Sequence, residues 1–166
     1  MSTRSFICKS LPNNTIVGVY CHYDGYPKGV GETLANHYTT DERVEALLSL
    51  GSISQLHPRL VPNLGDTHTF DNPAKNVTVA YHRDRGEAMS TTTFPSIHEL
   101  VEDVTNQLGV EFVYIWDSNE WVTMDLTLNA DFSSNCAAVD RLKPTVSVMQ
   151  HGRVSRELFE KLQLID

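Results

Sequence analysis

Two segments of this 166-residue chain carry the same short pattern. Tyr20-Cys21-His22-Tyr23-Asp24-Gly25-Tyr26-Pro27 and Ala80-Tyr81-His82-Arg83-Asp84-Arg85-Gly86-Glu87 each hold His-x-Asp, and each reaches a glycine where a β-run gives way to a turn. On a strand, residues two apart point the same way, so His22 is expected beside Asp24 and His82 beside Asp84. An imidazole next to a carboxylate serves three chemistries. The carboxylate can orient and charge the ring for acid–base work, the pair can bind a divalent metal, or both can hydrogen-bond a polar ligand. If the strand continues, Arg83 and Arg85 share a face with Tyr81, and two guanidinium groups there suit a bidentate grip on phosphate or carboxylate. Tyr20, Tyr23, Tyr26 and Tyr81 fall in the same segments and offer faces on which a ring can stack. The candidate ligand-binding set is therefore Tyr20, His22, Tyr23, Asp24, Tyr26, His82, Arg83, Asp84, Arg85 and Glu87. His22 and His82 are the catalytic candidates if the protein is an enzyme.

Each feature also has a plainer structural explanation. Asp before Gly at a strand end is commonly a turn residue that accepts backbone amides. A strand histidine is commonly a satisfied structural group, and an Arg/Asp/Glu run is commonly a solvated face. Zinc-type spacing is absent and the two His-x-Asp units lie some sixty residues apart, so only the fold can join them. The sequence leaves metal status and cofactor open. Gly25, Gly29 and Gly31 precede a helix, but their spacing matches neither a P-loop nor a dinucleotide fingerprint. Ser90-Thr91-Thr92-Thr93 lacks the surroundings of a nucleophile elbow.

The elements that must position these groups are legible from pattern. Ser5–Lys9 and Thr15–His22 flank Leu11-Pro12-Asn13-Asn14 and read as an antiparallel hairpin. Helix is expected from about Glu32 to Tyr38, and again after Thr40, an N-cap followed by Asp41 and Glu42. His57–Lys75 holds three prolines and no periodicity; an irregular loop of that length is more often functional or mobile than inert. Val77–His82 reads as a strand. Ser96-Ile97-His98-Glu99 is a capping box opening a helix that ends at Gly109. Val110–Trp116 and Trp121–Leu126 flank a second hairpin turn. A weak helical signal covers Cys136–Leu142, and a final amphipathic helix is expected over about 155–164. Strands in hairpins with helices between them predict an α+β domain spanning 1–166, with an antiparallel or mixed sheet and helices packed on one face.

Composition narrows the function. Thirteen basic against twenty-one acidic residues give a net charge of −8, which argues against general nucleic-acid binding. No apolar run reaches membrane-spanning length, and the polar start argues against a secretory leader. Three cysteines without a C-x-x-C pair fit buried thiols in a reducing cytoplasm.

The two motif segments resemble a family of small phage and prophage proteins. These open with Met-Ser-Thr-Arg-Ser, carry a Tyr-Cys-His-(Trp or Tyr)-Asp-Gly-Tyr-Pro segment, and later an Ala-Tyr-His-Arg-Asp-Arg-Gly-Glu block, here Met1–Ser5, Tyr20–Pro27 and Ala80–Glu87. The match is good over about 1–90 and loose over 110–125; Tyr23 stands where Trp is commoner. The resemblance implies a phage-borne accessory protein in the bacterial host cytoplasm and transfers no catalytic role to any residue. Three functions are then in view: a binder of a phosphate-bearing small molecule, such as a nucleotide signal of host defence; a hydrolase or phosphodiesterase, metal-independent or metal-assisted, using the His-x-Asp pairs; and an acidic inhibitor of a host enzyme. Self-association stays open.

Overall fold

The computed structural model describes residues 2–128 and 146–148. The expected helix at 155–164, the helical signal at 136–142 and Cys136 lie outside the described residues. The described residues hold eight strands: β1 (Ser5–Ser10), β2 (Ile16–Cys21), β3 (Ile53–Gln55), β4 (Val79–Ala80), β5 (Thr92–Phe94), β6 (Phe112–Asp117), β7 (Glu120–Asp125) and β8 (Val146–Val148). They form one mixed sheet in the order β4-β3-β2-β1-β6-β7-β8, with β5 also paired to β2. The α-helices among the described residues are α1 (Glu32–His37), α2 (Asp41–Leu48), α3 (Tyr81–Arg85) and α4 (Ile97–Asp103). The fold is α+β with a mixed sheet, as the sequence predicts.

Both expected hairpins form. β1 and β2 run antiparallel with Phe6 opposite Tyr20. β6 and β7 are joined through Ser118 and Asn119, both at positive φ, the paired left-handed conformation that matches the twist of a tight hairpin. Both caps form as well: Thr40 Oγ1 accepts from the Arg43 amide at 3.2 Å, and Ser96 Oγ accepts from the Glu99 amide at 3.3 Å.

Two of the long-range pairings are parallel, β1 with β6 and β2 with β3, while β2 with β5 and β3 with β4 are antiparallel. This places β1 and β6 in the middle of the sheet, where apolar residues occupy both faces. Ile7, Val19, Tyr114 and Trp116 pack beneath α1 and α2. Phe6, Cys8, Val113 and Ile115 pack beneath α4. The helices therefore lie on both faces and not on one. A strand buried on two sides cannot leave one face to solvent. None of the helices among the described residues is long and apolar enough to cross a membrane.

Candidate functional site

The second His-x-Asp unit is not on a strand. The expected strand over Val77–His82 shortens to Val79–Ala80, and Tyr81–Arg85 turns into α3. The Asp84 carboxylate accepts from the Ala80 amide at 2.8 Å, closing the first turn, and Gly86 ends it at φ 74°, a left-handed position suited to glycine. On a helix, residues two apart diverge, so His82 and Asp84 part company.

Asp84 turns inward. Its Oδ2 also accepts from His68 Nε2 at 3.1 Å, and its Oδ1 accepts from Arg83 Nε at 2.8 Å. Burial alone pushes the Asp84 carboxyl up, but the Arg83 guanidinium, the Ala80 amide and His68 outweigh it and hold the carboxyl below its ordinary value. Arg83 further donates to the carbonyls of Leu60 and Thr78. His68 Nδ1 accepts from the Ala74 amide at 3.0 Å. This cluster braces the irregular segment after His57. Arg85 pairs with Glu87 and lies over the rings of Phe70 and Tyr81, at 4.2 and 5.0 Å from their centroids. The expected twin-guanidinium grip on an anion is therefore not formed, because one arginine is an internal brace and the other is held by a carboxylate and two rings.

The first unit also divides. β2 ends at Cys21, and the amides of His22 and Tyr23 bond the carbonyls of Ile53 and Ser54 at 3.1 and 3.0 Å. Asp24 then adopts φ 56° and turns the chain. His22 Nδ1 shares a 2.7 Å hydrogen bond with the Tyr20 hydroxyl, while Asp24 accepts from the Tyr26 hydroxyl at 3.1 Å. Tyr23, Asp24 and Tyr26 line a small cleft of about 200 Å³ together with His57.

A larger cleft of about 360 Å³ opens on the α4 face of the sheet. Phe6 and Leu108 give it an apolar lining, and Tyr20 and Tyr81 line it as well. Ser52, Ser90 and Thr92 supply hydroxyls, while Glu87, Asp103 and Gln107 supply acidic and amide groups. His82 completes the lining. Its Nδ1 lies 2.7 Å from the Glu87 carbonyl, and a carbonyl only accepts, so Nδ1 carries the proton. In the neutral ring this leaves Nε2 as an acceptor. Of the sequence-derived set, Tyr20, His82 and Glu87 thus meet in one cleft, with His22 joined to it through Tyr20. Tyr23, Asp24 and Tyr26 line the other cleft.

Asp103 and Gln107 were missed by sequence reasoning. Asp103 ends α4 and Gln107 lies in the π-helical turn Val104–Leu108 that continues it; their four-residue spacing beside the apolar Leu100, Val101 and Val104 is the signal that marks them as sharing a polar side. Ser52 and Ser90 carry no local signal. Among the described residues, no group of three or more His, Cys, Asp or Glu side chains is placed to hold a metal ion. Burial pushes the Cys21 thiol up to about 12 and the Cys8 thiol well above its ordinary value, so neither is a ready thiolate nucleophile.

No family model matches the chain, and neither curated proteins nor solved structures give a significant match.

Proposed function

We propose that this chain is a small-molecule binding protein whose ligand is a phosphate-bearing, nucleotide-like molecule seated in the Tyr20–Tyr81–His82 cleft. The observation that carries this reading is the cleft itself, which combines apolar side chains, two tyrosines and polar groups that include His82 and Asp103. His82 Nε2 and the Asp103 carboxylate favour a ring bearing N–H or amino donors, which is the character of a nucleobase, while the Glu87 carboxylate is already paired with Arg85. The Asp103 carboxylate disfavours phosphate inside the cleft, so a phosphate group belongs at its edge. The wider role consistent with the phage-protein resemblance is counter-defence: withdrawal of a nucleotide signal in a bacterial host cell.

The test is mass spectrometry of small molecules released on denaturing the purified protein, followed by thermal shift with a nucleotide panel. An intact nucleotide and a rise in melting temperature support binding. A clean protein with no shift across the panel overturns it.

A second reading, hydrolysis or phosphodiester cleavage, has one specific observation in its favour. The Glu87 carbonyl fixes the His82 ring with Nε2 bare, the arrangement of a general base. Recovery of an altered product, abolished in His82→Ala, would select this reading over simple binding.

A further inference from the structure

The proposed cleft leaves the ligand's phosphate without a partner, since Arg83 and Arg85 are engaged elsewhere. Sheet register supplies one. Ser5 pairs with Cys21 and Phe6 with Tyr20, so one further step along the ladder brings Arg4 across from His22. The Gly25 amide bonds the Thr3 carbonyl at 2.9 Å, keeping the two chains side by side beyond the last ladder pair. Alternation puts Arg4 on the face of Phe6 and Tyr20, both of which line the cleft. Arg4 NH1 donates to the carbonyl of Leu108, another lining residue, at 3.1 Å.

The immediate surroundings leave Arg4 capacity to spare. A Cβ on Gly109 would stand 3.0 Å from Arg4 NH1, so the glycine there gives the guanidinium room. The other described arginines each have a carboxylate or a ring: Arg43 over Tyr38, Arg59 with Asp66, Arg83 with Asp84, Arg85 with Glu87. Arg4 is exposed and, among the described residues, is within ion-pair distance of no carboxylate. Capping the Leu108 carbonyl uses one of five guanidinium N–H groups. His22 stands beside it, its ring tied to Tyr20, and burial together with the Arg4 charge holds the imidazole below its ordinary value.

We propose that Arg4 and His22 form an anion subsite at the mouth of the cleft, and that the ligand is a nucleoside monophosphate with its base inside and its single phosphoryl group on Arg4. This rests on the cleft reading above and names the ligand class. One guanidinium and one imidazole suit one phosphoryl group, and the Asp103 carboxylate in the cleft opposes further negative charge nearby.

The experiment is titration calorimetry of the full chain with the common nucleosides, their 5′-monophosphates and inorganic phosphate. The protein is wild type, Arg4→Met and Arg4→Lys, each checked by melting temperature. The expected result is a monophosphate binding roughly tenfold or more tighter than its own nucleoside. That ratio falls towards one in Arg4→Met and lies between in Arg4→Lys, which keeps the charge but loses the fork. Inorganic phosphate should compete with the monophosphate and not with the nucleoside. If Arg4→Met fails to fold, the wild-type ratio, the competition and Arg4→Lys decide. A nucleoside that binds with no gain from its phosphate, or a gain that survives in Arg4→Met, overturns the subsite and leaves the cleft reading standing. Absence of binding by every nucleoside and nucleotide overturns both.

Discussion

His68 Nε2 and Asp84 Oδ2 meet at 3.1 Å with side chains only 4% and 5% exposed, joining the middle of the irregular segment to the first turn of α3. An acidic residue that looks available for chemistry is instead the internal anchor of a loop. Removing it leaves the Ala80 amide, His68 Nε2 and Arg83 Nε without the carboxylate that accepts from them. Asp84→Ala should therefore cost about 3 kcal/mol, the range for breaking a buried ion pair on one side. Urea unfolding of the two proteins measures it, and a cost under roughly 0.5 kcal/mol, the size of a neutral surface change, would show that the anchor carries no stability.

The same carboxylate makes a prediction about acid. Its folded value is depressed below the ordinary 3.8, so its stabilisation is complete above that value. It is lost as pH falls through the folded value. The stability gap between wild type and Asp84→Asn should be flat from neutral pH down to about pH 5 and should close below about pH 4. A gap that grows on acidification contradicts the depressed value.

His22 should titrate below the ordinary 6.5, because burial and then the Arg4 charge disfavour its protonated form. For a histidine with a lowered value, the folded state binds protons less readily than the unfolded chain. Its contribution to stability is thus complete above 6.5 and is eroded as pH falls from there towards the folded value. NMR titration of the ring resonances measures this directly. Arg4→Met should move the His22 midpoint upward, and an unchanged midpoint would place the guanidinium away from the ring.

Gly18 sits in β2 where a Cβ would stand 2.5 Å from Cys8 Cβ and from the Phe6 ring, and 2.6 Å from the Ile7 carbonyl oxygen. No single neighbour can yield, because β1 is held on both edges. Gly18→Ala should lose about 2–3 kcal/mol through overpacking, against the usual gain from replacing a strand glycine. Thermal or urea unfolding reads the sign at once.

Tyr20→Leu keeps most of the apolar volume at the cleft wall but removes the hydroxyl that holds His22. Ligand affinity in the cleft should fall roughly tenfold, in line with loss of one stacking face and one oriented hydrogen bond. Thermal shift with the ligand recovered from the wild-type protein provides the comparison, and full retention of the shift would separate Tyr20 from the site.

Local features of this fold were readable because their causes are local. Thr40 and Ser96 announce helix starts by their own oxygens, and Ser118-Asn119 announces a hairpin by its tolerance of positive φ. The alternation over His82–Arg85 was misleading because it matched a strand. What decided the outcome there was a side chain reaching back to the Ala80 amide and a loop residue, His68, arriving from outside the window. The division of helices between faces was hidden for a similar reason. It follows from Phe112–Asp117 pairing in parallel with a strand about a hundred residues earlier, Ser5–Ser10, and no local pattern states which distant strand will be the neighbour. Tyr20, His82 and Glu87 were identified as residue types with chemistry in them. Their meeting with Asp103 and Gln107 was set by the packing of α4 on the sheet.

The parallel pairing of Ser5–Ser10 with Phe112–Asp117 also governs the order of assembly. During synthesis Ser5–Ser10 emerges just before Ile16–Cys21 and can form its hairpin with that strand at once. Its opposite edge must wait for about a hundred further residues to leave the ribosome. Until then one side of that hairpin remains open to other chains. Nascent protein truncated before residue 112 should accordingly be the species that chaperones hold and that aggregates when they are absent.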